Sequence, residues 1–181
     1  YSTRFLPRTA ASLLAGVIAA TALPAAADVR GGVDAWSRGD FDTAIAEWRG
    51  PAVAGDADAQ FNMGQAYMLG RGVPQDLAIA EDWYKRAAEQ GHLQAADNFG
   101  LLLFQSGRRS DAVPWLTQSA SRGEPRAQYI LGTAHFNGDV VPKDWVRAYA
   151  LMTRAAASGL PQAGQSLAVM DQHVPMADRQ Q

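Results

Sequence analysis

Three histidines, His92, His135 and His173, are the side chains of this sequence best suited to hold a metal or move a proton near neutral pH. A zinc site or a metal-activated water needs its ligands on one helix face, spaced as H-x₃-H or H-E-x-x-H, and none of the three stands in such a spacing. His92 follows Gly91, where a solvated turn is expected, and His135 lies four residues before Asp139, a spacing that predicts a local ion pair. No S-x-x-K arrangement offers an activated serine. Cysteine is absent, which excludes disulfides, thiolate metal sites and a cysteine nucleophile. The carboxylates Asp40, Asp42, Asp76, Asp111 and Asp144 all fall where helices are predicted to begin, so capping of backbone amides explains them without acid–base chemistry. Gly70-Arg71-Gly72 follows no strand and reads as a connector, not a phosphate loop. No catalytic residue, metal or cofactor is expected.

Tryptophan could mark a ligand site, but Trp83 and Trp115 occupy equivalent places in a repeat, where packing between helices is the simpler role. Trp36 is expected to seal the N-terminal end and Trp145 a helix start. With 16 basic against 18 acidic residues the chain has no cationic excess for nucleic acid.

The elements that position these residues follow from a periodicity. Gly55, Gly91, Gly123 and Gly159 recur at intervals of 36, 32 and 36 residues. Ala52, Ala88, Ala120 and Ala156 precede them by three positions, and Ala59, Ala95, Ala127 and Ala163 follow by four. Ala44, Ala80, Ala112 and Ala148 keep the same beat. Small residues recur where two backbones approach closely, and glycine recurs where a helix ends with positive φ, so each unit reads as a helical hairpin. Hydrophobic residues make up 48% of the chain, alanine dominates them, and β-branched residues are sparse, which suits packed helices and not a sheet. The fold expected is an all-α, right-handed α-solenoid of helix-turn-helix units.

The segments divide as follows. Residues 1–27, with Arg4 and Arg8 ahead of an uncharged run and Ala25-Ala26-Ala27 at its end, read as a signal peptide cleaved after Ala27. Residues 28–55 read as an N-terminal capping repeat, abbreviated to Trp36, a short turn and a helix from about Asp42. Residues 56–91 and 124–159 are full repeats, and 92–123 is a repeat with four loop residues fewer. In that short repeat Pro114 requires the second helix to start near Ser110, which would cap it. Residues 160–181 read as one more helix and the start of another, expected as a truncated unit.

Within this register Ala59-Gln60-Phe61-Asn62-Met63-Gly64-Gln65-Ala66-Tyr67, then Gly70 to Asp76, then Ala80 and Trp83 to Gly91, closely resemble the Sel-one-like repeat, the SLR branch of the tetratricopeptide-like solenoids. The resemblance covers residues 39–172. It departs in the short third loop and at Ala168, which stands where the pattern has glycine. The resemblance implies a non-catalytic scaffold that binds a protein or peptide. For exported bacterial members it implies roles in envelope assembly, signalling control or host contact, here in the periplasm or outside the cell, with no stable membrane insertion after cleavage. Two alternatives come with it. One is the repeat half of a longer envelope protein with a peptidoglycan-binding domain of the SPOR type. The other is a cell-wall or β-lactam-hydrolysing enzyme like certain cysteine-rich relatives, to which a chain without cysteine transfers poorly.

A partner would lie on the concave face of the first helices. Helical spacing puts Asp58, Phe61, Gln65 and Met68 on one face, then Gln94, Asp97, Leu101 and Phe104, then Arg126, Tyr129, Thr133 and Phe136. Stacked, these rows predict a groove of aromatic, methionine and polar character suited to an extended peptide. The competing reading is that Phe61 and Tyr129 only pack between neighbouring first helices.

Overall fold

A computed structural model describes residues 29–179, the side chain of Asp178 excepted. The expected signal segment lies outside the described residues. Ten helices follow in order: α1 (Val29–Ser37), α2 (Phe41–Ala54), α3 (Ala57–Leu69), α4 (Leu77–Glu89), α5 (Leu93–Gln105), α6 (Arg109–Ser121), α7 (Pro125–Asn137), α8 (Trp145–Ala157), α9 (Pro161–Met170) and the single turn α10 (Met176–Arg179). The described residues contain no strand. Helices α1 to α9 each pack on their neighbours in sequence, and α10 folds back on α8. Contacts confined to adjacent units define an all-α helical repeat solenoid.

The small-residue beat is the core. Ala44, Ala80, Ala112 and Ala148 are fully buried, as are Ala59, Ala95, Ala127 and Ala163. Between them Met63, Leu116 and Met152 are almost wholly enclosed, each contributing about 1.5 to 3 kcal/mol through removal from water. Every second helix ends at a glycine in the left-handed region: Gly55, Gly91, Gly123 and Gly159 have φ of 104°, 89°, 95° and 84°. The residue after that glycine caps the next first helix. Asp56, His92 and Glu124 each accept the backbone N–H three residues on, while Leu160, in the same place, has no side chain able to do so. Ala168 stands where Gly64 faces the Tyr84 ring, but α10 is too short to cover it and the position is exposed.

Three local expectations change. The N-terminal unit is a complete hairpin, because a helix, α1, replaces the expected turn at Trp36. Gly31-Gly32 disguises that helix by its low propensity. Its reason is packing: a Cβ on Gly32 would collide with the Trp48 indole, whose nitrogen donates to the Val29 carbonyl at 3.0 Å. Secondly, α6 begins at Arg109, with Arg108 in the capping position and no side-chain cap, so neither Ser110 nor Asp111 caps. Pro114 therefore lies past the first turn and removes one ladder hydrogen bond, a loss the packing of α6 on α5 outweighs. Thirdly, Asp42 sits in the first turn of α2 while Asp40 is its cap.

The long connectors 70–76 and 138–144 each reach back to the start of the preceding second helix. Arg71 lies over the rings of Trp36 and Phe41, and Asp139 pairs with Arg109 at 2.8 Å. Phe41 and Arg109 are both first residues of such helices.

Candidate functional site

The first-helix face is built from three rows whose fates differ. In α3, Asp58 is exposed and its carboxylate accepts from His92 Nε2 at 3.3 Å. Phe61 stacks on the His92 ring with centroids 4.6 Å apart. Because the Ala95 N–H donates to His92 Nδ1, the proton of the neutral ring belongs on Nε2. His92 is thus a helix cap wedged under an aromatic ring, with its side chain only 12% exposed, and not a solvated turn residue. Met68 packs on the central core, and Gln65 is half-buried beside it. Phe61 also lies 5.9 Å from the Tyr84 ring.

In α5, Gln94 is exposed, but Leu101 is 7% exposed and belongs to the core. The expectation that it lies on the open face is corrected: α5 is flanked by hairpins on both sides, and its run Leu101-Leu102-Leu103 fills the contacts. Asp97 is likewise tied down. It accepts from Ser119 Oγ and from the Arg122 guanidinium, joining α5 to α6. Phe104, half-buried, carries the Arg109 guanidinium over its ring at 5.1 Å.

The α7 row is the one that opens cavities. Phe104, Arg109, Tyr129, Ile130, Thr133, Ala134, Asn137 and Asp139 line a space of about 290 Å³ between α5 and α7, closed at one end by the Arg109–Asp139 pair. On the other side of α7 a smaller space of about 150 Å³ is lined by Thr133, Phe136, Met152, Ser166, Val169 and Met170. Thr133 belongs to both. Its hydroxyl donates to the Tyr129 carbonyl at 2.9 Å and keeps acceptor capacity outward. Arg126 lies apart at the helix start, paired with Glu124 at 3.1 Å. Of the twelve groove residues, the structure brings Phe104, Tyr129 and Thr133 to one cavity and Thr133 and Phe136 to the other, on opposite sides of α7.

Five lining residues of the larger space escaped the sequence reading: Arg109, Ile130, Ala134, Asn137 and Asp139. Their signal was the 32-residue step. Shortening the third connector leaves the start of α6 uncovered, and the fourth connector folds back onto it. His135 also departs from expectation: it is 8% exposed and its Nδ1 lies 3.0 Å from the Pro142 carbonyl, bracing that connector, while Asp139 pairs with Arg109 instead. His173 Nδ1 meets the Val169 carbonyl at 2.9 Å. Trp83 and Trp115 pack between helices, the latter edge-on to Phe99. Trp36 meets Phe41 edge-on and Trp48 at a tilt. Burial pushes the Tyr84 hydroxyl up to about 12, against opposing effects of Asn98 and the Arg126 charge. Among the described residues no three His, Asp or Glu side chains converge as a metal site, and no helix is long and apolar enough to cross a membrane.

Comparison with known proteins agrees with this architecture. The Sel1 repeat family model matches residues 57–92 and 125–160, the second and fourth units. The crystal structure of c5321, a protective antigen of uropathogenic Escherichia coli with an SLR fold, superposes with a TM-score of 0.70 at 30% identity over 80% of this chain and 33% of the antigen. A Sel1 repeat protein from Oxalobacter formigenes gives 0.69 at 26% identity, over 80% of this chain and 59% of the other. An uncharacterized protein of Neisseria meningitidis serogroup B is 30% identical over 99 residues, 55% of this chain and 21% of that protein. The chain thus spans about a fifth to three fifths of the length of these relatives. Sel1 repeats generally mediate protein–protein interaction, and the matched units, the helical fold and the solved neighbours make this chain a Sel1-like repeat helical protein.

Proposed function

We propose that the protein is an exported, non-catalytic scaffold of the cell envelope that holds an extended segment of a partner protein across α7. The observation that carries the reading is the pair of cavities on either side of that helix, joined through Thr133. Aromatic walls from Phe104, Tyr129 and Phe136, the Asn137 amide and the outward acceptor of Thr133 supply the mixture of apolar contact and hydrogen bonding that a peptide backbone with spaced side chains requires. The leader-like residues 1–27 support export, as does similarity to a protective antigen. A mature N-terminus at Asp28 in periplasmic material, read by mass spectrometry, is the expected sign of export; a mature chain retaining Leu13-Leu14 would refute it.

The binding reading is tested by selecting displayed peptides on the purified protein and measuring the selected peptide by fluorescence polarisation. Thr133→Arg, which fills both cavities from a half-buried position, should weaken it by about tenfold or more, equivalent to about 1.4 kcal/mol. Gln65→Ala, on the α3 row, should leave it unchanged. Equal binding by the Thr133 variant would move the site off α7. A second reading, in which these repeats are the binding half of a longer envelope protein, is favoured by the small share of the antigen and of the Neisseria protein that the chain spans.

A further inference from the structure

On the opposite side of the array, the second helices α6 and α8 stand apart over α7 and leave a cleft of about 260 Å³. Its floor is apolar: Ala120, Leu131, Ala150 and Leu151. Along one wall run Arg147 and Arg154 of α8, and along the other the hydroxyl residues Thr117 and Ser121 of α6. Among the described residues neither guanidinium has a carboxylate within ion-pair distance. Two exposed cations flanking an apolar trough, in a chain whose net charge is −2, are not explained by folding.

The second unit shows what the ordinary arrangement is. There Arg86, in the place of Arg154, pairs with Asp82 at 2.8 Å and lies 5.0 Å over Trp83. In α8 the place of Asp82 is taken by Ala150 and that of Ile79 by Arg147, so a local carboxylate is removed and a second cation added. The same two changes leave the charge beside the trough unanswered.

We propose that this cleft is a second docking surface, distinct from the α7 groove, for an acidic amphipathic helix of a partner protein. Arg147 and Arg154 are seven residues apart, about 10 Å along one face of α8. A partner helix carrying carboxylates at i and i+7 matches that spacing, with its apolar residues at i+3 and i+4 directed onto Leu131 and Leu151. An extended strand does not match, because its same-face residues fall at about 7 or 13 Å. A long polyanion is disfavoured by the apolar floor, by the absence of an aromatic stacking platform in the lining and by the net negative charge of the chain.

The test uses a fluorescein-labelled alanine-based helical peptide with glutamates at i and i+7 and leucines at i+3 and i+4, titrated with the full chain at low and physiological salt. Binding should weaken about tenfold in R147Q, about tenfold in R154Q, and further with rising salt. A150D places a carboxylate beside Arg154 as Asp82 stands beside Arg86; it should reduce binding comparably with the circular dichroism melt unchanged. R86Q should have no effect. A lysine-for-glutamate version of the peptide should not bind. Binding that is equal in wild type and the R147Q/R154Q pair, absence of binding to wild type, or uptake of a polyuronate oligosaccharide in place of the peptide would each overturn the proposal. Retention of peptides selected for the α7 groove by A150D separates failure here from failure there.

Discussion

The second and fourth units are the two that match the family model, yet they are finished differently. In the second unit the buried amide is satisfied at both ends. The buried Gln60 donates to the Ala52 carbonyl at 3.1 Å and accepts from Gln90 at 2.7 Å. In the fourth unit Gln128 repeats the first bond to Ala120 at 3.1 Å, but its Oε1 is buried without a partner, because Ser158 replaces the glutamine. Gly72 sits at φ 71° in the second connector, whereas Val140, a β-branched residue, takes φ 58° in the fourth. Arg86 is paired, and among the described residues Arg154 has no carboxylate partner. One copy of the repeat is closed, and the other carries a positive-φ valine, an unmet acceptor and unpaired charge beside the cavities that flank α7. Such local departures mark the places where a fold gives up stability for function.

The largest expected effect comes from exchanging the connector residues. A Cβ on Gly72 would lie 2.8 Å from the Phe41 carbonyl and 2.9 Å from Ile45 Cγ1, so Gly72→Val should cost about 3 kcal/mol or more in thermal unfolding. An unchanged melt would mean that the second connector is not latched to α2. Gln90→Ser, which recreates the fourth unit's vacancy beside Gln60, should cost about 1 to 2 kcal/mol; a neutral result would erase the contrast between the units. The reverse substitutions, Ser158→Gln and Val140→Gly, should each raise stability by up to about 1 kcal/mol, the first by reaching Gln128 Oε1 and the second by relieving positive φ.

A pH dependence, confined to alkaline conditions, is expected in the second unit. The Tyr84 hydroxyl is raised from 10 to about 12 by burial, so its neutral form is favoured in the folded state. Between those values the unfolded chain binds fewer protons than the native one, and stability therefore falls as pH rises from 10 to 12. Below pH 10 this contribution is fully present. Tyr84→Phe should flatten the alkaline arm of the melting curve; an unaltered slope would place the titration elsewhere.

The contrast between the units also explains what the sequence could reveal. Positions fixed by backbone geometry were legible, since the capping glycines and core alanines admit few alternatives at their places. The four-residue deletion in the third connector was legible too, but its consequence was not, because the meeting of Arg109 with Asp139 depends on how two connectors arch in space. Helix α1 was hidden because propensity argued against Gly31-Gly32, while tertiary contact with Trp48 demanded the second of them. Leu101 and Asp97 shared the groove periodicity, yet a row on a helix flanked on both sides is claimed by its neighbours, which periodicity alone does not register.

Hydrogen–deuterium exchange of the protein with and without a selected peptide tests most directly whether the fourth unit is the binding unit. Protection should appear in α7, with the facing ends of α5 and α9, and amides of α3 and α4 should exchange as in the unbound protein. Protection centred on α3 and α4, with α7 unaffected, would contradict the assignment of binding to the fourth unit.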